Sequence, residues 1–273
     1  MYNKDYQQID NLVEAVLRSS KYKSIDSAFI RYIGTQELAR RHNLKEAIKS
    51  TKNKLHQVGG AYQENTPRYA LWLDELKQAS RSANREYFLE ACKWIMSHHS
   101  STRERLPILD QFYSTLLAGL PPINSVIDIA SGLHPLAIPW MNLSEHTQYY
   151  AYDIYEDMIN FLNGCMALMP VRGYGKTCDV IHNCPAQKVD IAFLLKAIPC
   201  LEQVDKSAGI RLLESINADR IVVSFPAHSL GGKNKGMVTN YEASFYEQVA
   251  HKPWSIQRFA FPGEQVFLVS KSL

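Results

Sequence analysis

The chain has 273 residues, 46% hydrophobic and 21% charged, which excludes a disordered chain and allows one large or two modest domains with cores that need no staples. It contains no run of 18 apolar residues and no apolar leader in its first ten, so neither a membrane-spanning helix nor a signal peptide is expected. The net charge of +3 is uneven: residues 1–105 carry 18 Lys and Arg against 12 Asp and Glu, and residues 106–273 carry 12 against 15. A basic front half fits a surface that meets RNA or DNA, or a helical region with solvated lysines.

Residues 1–105 read as helical. Leu12, Val16 and Leu17 recur at helical spacing, as do Leu38 and Ile48 further on. Asp26-Ser27 predicts the cap of a helix through Phe29, Ile30 and Ile33. A turn is predicted at Gly59-Gly60, a helix start at Pro67, and a capped start at Ser101 with Glu104 three residues on. After Pro121-Pro122 the texture changes. Residues 125–130, 149–154, 189–195 and 220–225 read as strands, with another over 176–181. Helices are predicted over 157–169, 203–217 and 238–250. Strand–helix alternation with continuous apolar strands predicts a parallel sheet covered on both faces. The chain closes differently, with residues 255–261, Pro262-Gly263 and 265–270 forming a hairpin. The fold class is therefore α/β: the Rossmann-like sheet of a class I S-adenosylmethionine-dependent methyltransferase with a C-terminal antiparallel hairpin, preceded by an all-helical N-terminal domain. The expected domains are 1–105 and 106–273.

In a doubly wound sheet, ligands sit at the carboxyl ends of the strands. Four loops are then of interest. Asp128-Ile-Ala-Ser-Gly132 follows the first strand, where a glycine lets the backbone approach a cofactor or simply makes the turn. Asp153 closes the second strand, where a carboxylate accepts both ribose hydroxyls or caps the next helix. Asp179 suits an adenine amino group or a solvent-facing turn. Lys196 follows an apolar strand, a place that favours a functional lysine over a core one. In the front half, Arg103 and Arg105 suit either a carboxylate clamp or surface salt bridges beside Glu104. The loop 226–237 is glycine-rich and basic, through Lys233 and Lys235, and Met237 at its end can lie flat on a base. It reads as substrate capture or as a plain connector.

Other chemistry is not indicated. Cys178, His182 and Cys184 match no zinc spacing, so no metal is expected. The five cysteines, at 92, 165, 178, 184 and 200, are odd in number and read as reduced thiols of a cytoplasmic protein. No Walker loop, G-x-S-x-G elbow or H-E-x-x-H motif is present.

Several co-linear motifs are shared with one family: Ser20-Lys-Tyr22, Lys54-Leu-His-Gln-Val-Gly-Gly-Ala-Tyr62, His99-Ser-Ser-Thr-Arg-Glu-Arg105, Asp128-Ile-Ala-Ser-Gly-Leu-His-Pro-Leu-Ala137, Leu194-Leu-Lys-Ala-Ile-Pro-Cys-Leu-Glu202, and Ser224 to Met237 with Asn240-Tyr241. Over nearly its whole length the chain resembles the aminoglycoside-resistance 16S rRNA methyltransferases of the Arm/Rmt and actinomycete-producer type, which methylate N7 of guanine 1405. The resemblance implies S-adenosylmethionine as cofactor, with Arg105 on its carboxylate, Ala130 and Gly132 in the close loop, Asp153 and Ile154 at the ribose, and Asp179 and Val180 at the adenine. It implies that Lys196, Lys233 and Met237 face the target guanine. Lys21, Tyr22, Arg31, Lys54, His56, His228 and Lys235 are the expected RNA contacts, and the expected partner is the 30S subunit at the decoding region. A cytoplasmic monomer is expected, without membrane or metal. The sequence departs from the family at His134, where asparagine is usual, at His228, where lysine is common, and at Gly263-Glu264-Gln265-Val266, where the family has Gly-Asn-Glu-Leu. Rival readings are a methyltransferase for another RNA site or a small molecule, and a relative that has lost cofactor binding.

Overall fold

The structure is a computed structural model that describes residues 2–41, 43–62, 67–82, 84–227 and 237–271, leaving aside the side chains of 2–5 and 237–239. The front of the chain forms helices α1 (Tyr2–Leu17), α2 (Ser27–Arg40), α3 (Leu44–Leu55), α4 (Tyr69–Arg81), α5 (Arg85–Met96), the short α6 (Ser100–Arg103) and α7 (Leu109–Leu116). Leu12 and Val16 are buried in α1, and Phe29, Ile30 and Ile33 in α2. The Asp26 side chain accepts from the Phe29 N–H at 2.9 Å and starts α2 as its sequence predicts.

Four local expectations are corrected here. Leu38 and Ile48 lie on different helices, because Asn43 accepts from the Glu46 N–H and caps α3 afresh. Gly59-Gly60 is not a sharp turn but the end of a π-helical turn, His56–Gly60, that prolongs α3. A Cβ on Gly59 would lie 2.8 Å from the Tyr155 ring, so glycine is there for close approach rather than for chain reversal. The helix expected from Pro67 begins at Tyr69, behind Arg68. Ser101 lies inside α6, whose cap position is His99, and Glu104 turns away toward Lys196.

The remainder builds a seven-stranded sheet in the order β3-β2-β1-β4-β5-β7-β6. Its strands are β1 (Ser125–Ile129), β2 (Gln148–Asp153), β3 (Arg172–Thr177), β4 (Val189–Leu195), β5 (Ala218–Pro226), β6 (Ser255–Phe261) and β7 (Glu264–Ser270). β1 to β5 run parallel, and β7 is antiparallel to both β5 and β6. Helices α8 (Glu156–Met166), α9 (Ile198–Leu201), α10 (Ala208–Ser215) and α11 (Met237–Val249) connect the strands. The strand expected over 176–181 is displaced to Arg172–Thr177. Its Gly173 and Gly175 conceal it from propensity, yet they let α8 lie close: a Cβ on Gly173 would meet Met166 at 2.5 Å, and Asn163 bonds both backbone groups of Gly175. The helix expected over 203–217 is shortened to α10, because the turn in which Asp205 accepts from the Ser207 N–H delays its start.

Alternate strand residues feed opposite faces. Val126, Ile191, Phe193, Val222, Val266 and Leu268 join the buried helices of the front region in one apolar cluster. Ile127, Ala192, Leu194, Val223 and Phe267 pack under α10 and α11 in another. The first cluster runs without a break from α1 to the sheet, so the front helices stand directly over the strand ends. Among the described residues, no helix is long and apolar enough to cross a membrane.

Candidate cofactor and target site

A cavity lies at the carboxyl edge of β1, β2 and β4. Its sheet-side wall contains Asp128, Ala130, Gly132, Asp153, Ile154, Asp179, Val180 and Lys196. Three residues here hold left-handed backbone: Ala130 at φ 52°, Gly132 at φ 51° and Lys196 at φ 56°. For Ala130 and Lys196 this conformation costs about 1–2 kcal/mol. Both sit where a parallel strand must turn abruptly toward the cavity.

Asp153 ties this wall together. One carboxylate oxygen accepts from the Gly132 N–H at 2.9 Å, and the other accepts from the Ile154 N–H at 2.7 Å. It does not cap α8, whose cap position is Tyr155. Burial raises its pKa to about 6, against the lowering effect of its backbone hydrogen bonds. Asp179 is buried, accepts from the Ile181 N–H and pairs with His182, so it organises its turn without facing solvent. Asp128 lies deeper. It accepts from the Tyr149 hydroxyl and from His134 Nδ1, both at 2.8 Å, while His134 Nε2 meets the Tyr113 hydroxyl at 2.7 Å. The histidine found where the family has asparagine thus bridges β1 to α7.

The opposite wall is helical. It comprises Phe29 on α2, Val58 and Gly59 on the π-helical turn, Tyr62, His99, Ser101 on α6, and Arg105. Arg105 is fully buried and is no surface ion pair. Its Nε and Nη2 donate to Glu264 at 3.1 and 2.6 Å, leaving Nη1 without a hydrogen-bond partner among the described residues. Lys196, also buried, donates to Glu104 at 2.6 Å and lies 3.5 Å from Glu264. Burial alone would raise the Glu264 pKa, but Arg105 and Lys196 outweigh it and hold the carboxyl below its usual range. Burial, followed by the charges of Arg105, Lys196 and Arg103, lowers His99 to about 4, so its ring is neutral near pH 7. That ring covers Gly132, where a Cβ would come within 2.8 Å of it.

All seven expected cofactor residues and Lys196 therefore line one cavity. The expected RNA contacts are dispersed. Lys21 and His56 are exposed and bonded to each other at 2.9 Å. Arg31 pairs with Asp10 at the surface, and Lys54 pairs with the buried Glu37. Tyr22 is corrected: it is 7% exposed and donates its hydroxyl to the Lys52 carbonyl, so its ring is not available to a nucleotide. His228, Lys233 and Lys235 lie outside the described residues. Met237 opens α11, but its side chain is not described. Sequence reasoning assigned no role to Tyr62, His99, Tyr155 or Glu264. The first two stand inside the shared motifs, which was the available signal.

The family described as ribosomal RNA methyltransferase (FmrO) matches residues 18–269. The chain belongs to that family. It is 35% identical over 266 residues to the 16S rRNA (guanine(1405)-N(7))-methyltransferase of Micromonospora echinospora, covering 97% of each chain. It is 31% identical over 237 residues to the enzyme of the same name from Serratia marcescens, covering 87% of this chain and 88% of that one. Among solved structures it resembles the 16S rRNA methyltransferase RmtF in complex with S-adenosyl-L-homocysteine, at TM-score 0.80 and 26% identity over 97% of this chain and 98% of that one. The 16S rRNA methylase RmtB gives 0.77 at 26% identity, with the same coverage. The cofactor of this methyltransferase family is S-adenosylmethionine, and the cavity fits it. Three buried polar atoms without hydrogen-bond partners among the described residues, Arg105 Nη1, His99 Nδ1 and Tyr155 Oη, belong to residues of this one cavity.

Proposed function

We propose that this enzyme methylates N7 of guanine 1405 of 16S rRNA within the assembled 30S subunit, and that cells carrying it become resistant to aminoglycosides. The observation that carries the reading is the cavity itself, where Asp153, Arg105 and Lys196 converge on the carboxyl edge of a methyltransferase sheet in a chain of this family. When bound, S-adenosylmethionine supplies an activated methyl group on a sulfonium. Guanine N7 has an in-plane lone pair and needs no deprotonation, so the chemistry asks for neither a general base nor a metal. The protein's task is alignment and extrusion of the base from its stack.

In this reading Arg105 Nη1 holds the amino-acid carboxylate, Asp153 the ribose and the 179–180 turn the adenine. Gly132 gives the backbone room to approach. Lys196, with Lys233 and Met237, positions the guanine. The reaction moves positive charge onto the guanine, which a free lysine beside it would oppose. Lys196 is instead matched by Glu104 and Glu264, so it can orient a guanine O6 or phosphate without adding net positive charge. Residues 1–105 dock on the folded rRNA through Lys21, Arg31, Lys54 and His56, with His228 and Lys235 from the capture loop, and residues 106–273 carry the transfer. The test is reaction of the purified enzyme with 30S subunits and S-adenosylmethionine, followed by cleavage at N7-methylguanine and primer extension. A single new stop at position 1405, far stronger on 30S subunits than on naked 16S rRNA, is expected. A stop at another nucleotide, or none, overturns the assignment.

A further inference from the structure

We infer that Glu264 is the positioning residue for the cofactor's carboxylate: it clamps Arg105 so that one guanidinium edge is spent on the protein and Nη1 is left for the ligand. The inference rests on the assignment of Arg105 to that carboxylate.

The topology explains how a residue 159 positions away reaches the cofactor edge. β7 runs antiparallel to β5, so it begins where β5 ends. Glu264 is the first residue of β7 and stands opposite Pro226, the last of β5. Gly263, at φ 78°, makes the tight turn from β6, and its carbonyl accepts from the Ala227 N–H at 3.0 Å, fastening the hairpin tip to the sheet edge. The hairpin that distinguishes this sheet from a plain dinucleotide-binding one thus delivers a carboxylate behind the cavity wall.

The geometry leaves Glu264 few other roles. It is 2% exposed and is not part of the cavity lining, so it does not touch the ligand. Its two oxygens take Arg105 Nε and Nη2 in parallel, the arrangement that fixes a guanidinium in both direction and plane. Phe112 supports Arg105, with the guanidinium carbon 4.7 Å from the ring centre. A buried arginine with no counter-charge would be forced toward solvent or toward Asp128. With Glu264 in place, the Nη1 donor stays in the wall and has no hydrogen-bond partner among the described residues. Lys196 shares the same carboxylate at 3.5 Å, so the orienting group also sets the charge of the target side.

The experiment compares two ligands that differ in the group Arg105 holds. S-Adenosylhomocysteine carries the amino-acid carboxylate, whereas 5′-methylthioadenosine lacks it and keeps the adenosine. Calorimetry on the wild type, Glu264→Gln and Glu264→Asp is expected to show S-adenosylhomocysteine weakened tenfold or more in Glu264→Gln and by a smaller factor in Glu264→Asp. Methylthioadenosine should stay within about twofold of wild type in both. In turnover on 30S subunits, Glu264→Gln should raise KM for S-adenosylmethionine by a larger factor than it lowers kcat, because Lys196 keeps Glu104 as its nearer partner. Equal weakening of both ligands would make Glu264 a merely structural residue and overturn the inference, as would unchanged S-adenosylhomocysteine binding. If Glu264→Gln does not yield folded protein, Glu264→Asp carries the same two-ligand comparison. A wild type that binds the two ligands equally would instead refute the Arg105 assignment on which the inference stands.

Discussion

The two walls of the cavity are made by different means. The sheet wall is local: a strand ends, a left-handed residue turns the chain, and a nearby acid collects backbone N–H groups, as Asp153 does from Gly132 and Ile154. The helical wall is assembled at long range. Arg105 depends on Glu264, Glu104 on Lys196 from the sheet wall, and Tyr62 on the Cys200 thiol at 2.8 Å. Residues 24–26 are even bonded to the strand-end loop, through Asp26 N–H to the Ile154 carbonyl and Glu156 N–H to the Ser24 carbonyl. A cavity can therefore be half legible and half hidden, and the hidden half is the one that the helical region builds.

The largest effect should come from cutting the buried chain that runs from β1, behind the sheet wall, to α7. Asp128→Ala removes the acceptor of the Tyr149 hydroxyl and of His134, all buried, with Tyr113 of α7 at the far end. Two stranded groups at about 1–3 kcal/mol each predict a loss of about 3 kcal/mol in urea unfolding. A loss below about 1 kcal/mol would mean that β1 and α7 are fastened elsewhere.

Gly132→Ala should come next. The added Cβ meets His99 at 2.8 Å and the backbone is left-handed, so the sheet wall is pushed against the helical one. S-Adenosylhomocysteine affinity should fall about tenfold or more, corresponding to roughly 1.4 kcal/mol. The double variant Gly132→Ala, His99→Ala should recover part of that loss, by calorimetry. If it recovers nothing, backbone strain alone sets the effect and the two walls do not press on each other there.

These two positions also show what sequence can and cannot reveal. Gly132 and Asp153 were legible because a loop after an apolar strand announces its function by place. The hairpin was legible through Pro262-Gly263, and its register is off by a single residue, at Glu264, because the turn uses only Pro262-Gly263. Glu264 itself stood out only as a departure from the family pattern, since nothing near it in sequence requires a carboxylate. His134 is similar: its partners come from β1 and α7. Strand β3 was displaced because its two glycines serve contact with α8, a tertiary reason that outweighs low strand propensity.

A pH titration separates the walls by protonation. Asp153 titrates at about 6 in the free protein, raised chiefly by burial. In the proposed reading ribose hydroxyls donate to its charged form, so cofactor affinity should be full near pH 8 and weaken as pH falls through 6, by about tenfold between pH 8 and pH 5. Folding responds in the opposite sense. A carboxyl whose pKa is raised by folding costs stability above about pH 6, and that cost fades as pH falls toward its unfolded value. His99, at about 4, stays neutral across this window. Asp153→Asn should bind more weakly and show a flat profile from pH 8 to 5. A wild-type profile that is already flat would remove Asp153 from the ribose.

The smallest effect, and the cleanest view of the helical region's outer face, should come from Lys21. It is exposed and shares a hydrogen bond with His56, the first residue of the π-helical turn whose Val58 and Gly59 line the cavity. Lys21→Ala should weaken 30S binding at low salt and lower the slope of log affinity against log salt by about one unit, the scale of a single lost phosphate contact on a duplex. Cofactor affinity should be unchanged, because the turn's inner residues keep their partners. Lys54 makes the contrast. It pairs with Glu37, which is 1% exposed; without it, Arg40 at 4.0 Å and Arg41 at 3.2 Å remain among the described residues to balance that acid. Lys54→Ala should therefore lower the melting temperature, with a smaller change in salt slope than Lys21→Ala. If the two variants shift the slope equally and neither alters melting, Lys54 is a docking residue whose bond to Glu37 is incidental. If Lys21→Ala instead weakens cofactor binding, the π-helical turn transmits contacts from the docking face into the cavity.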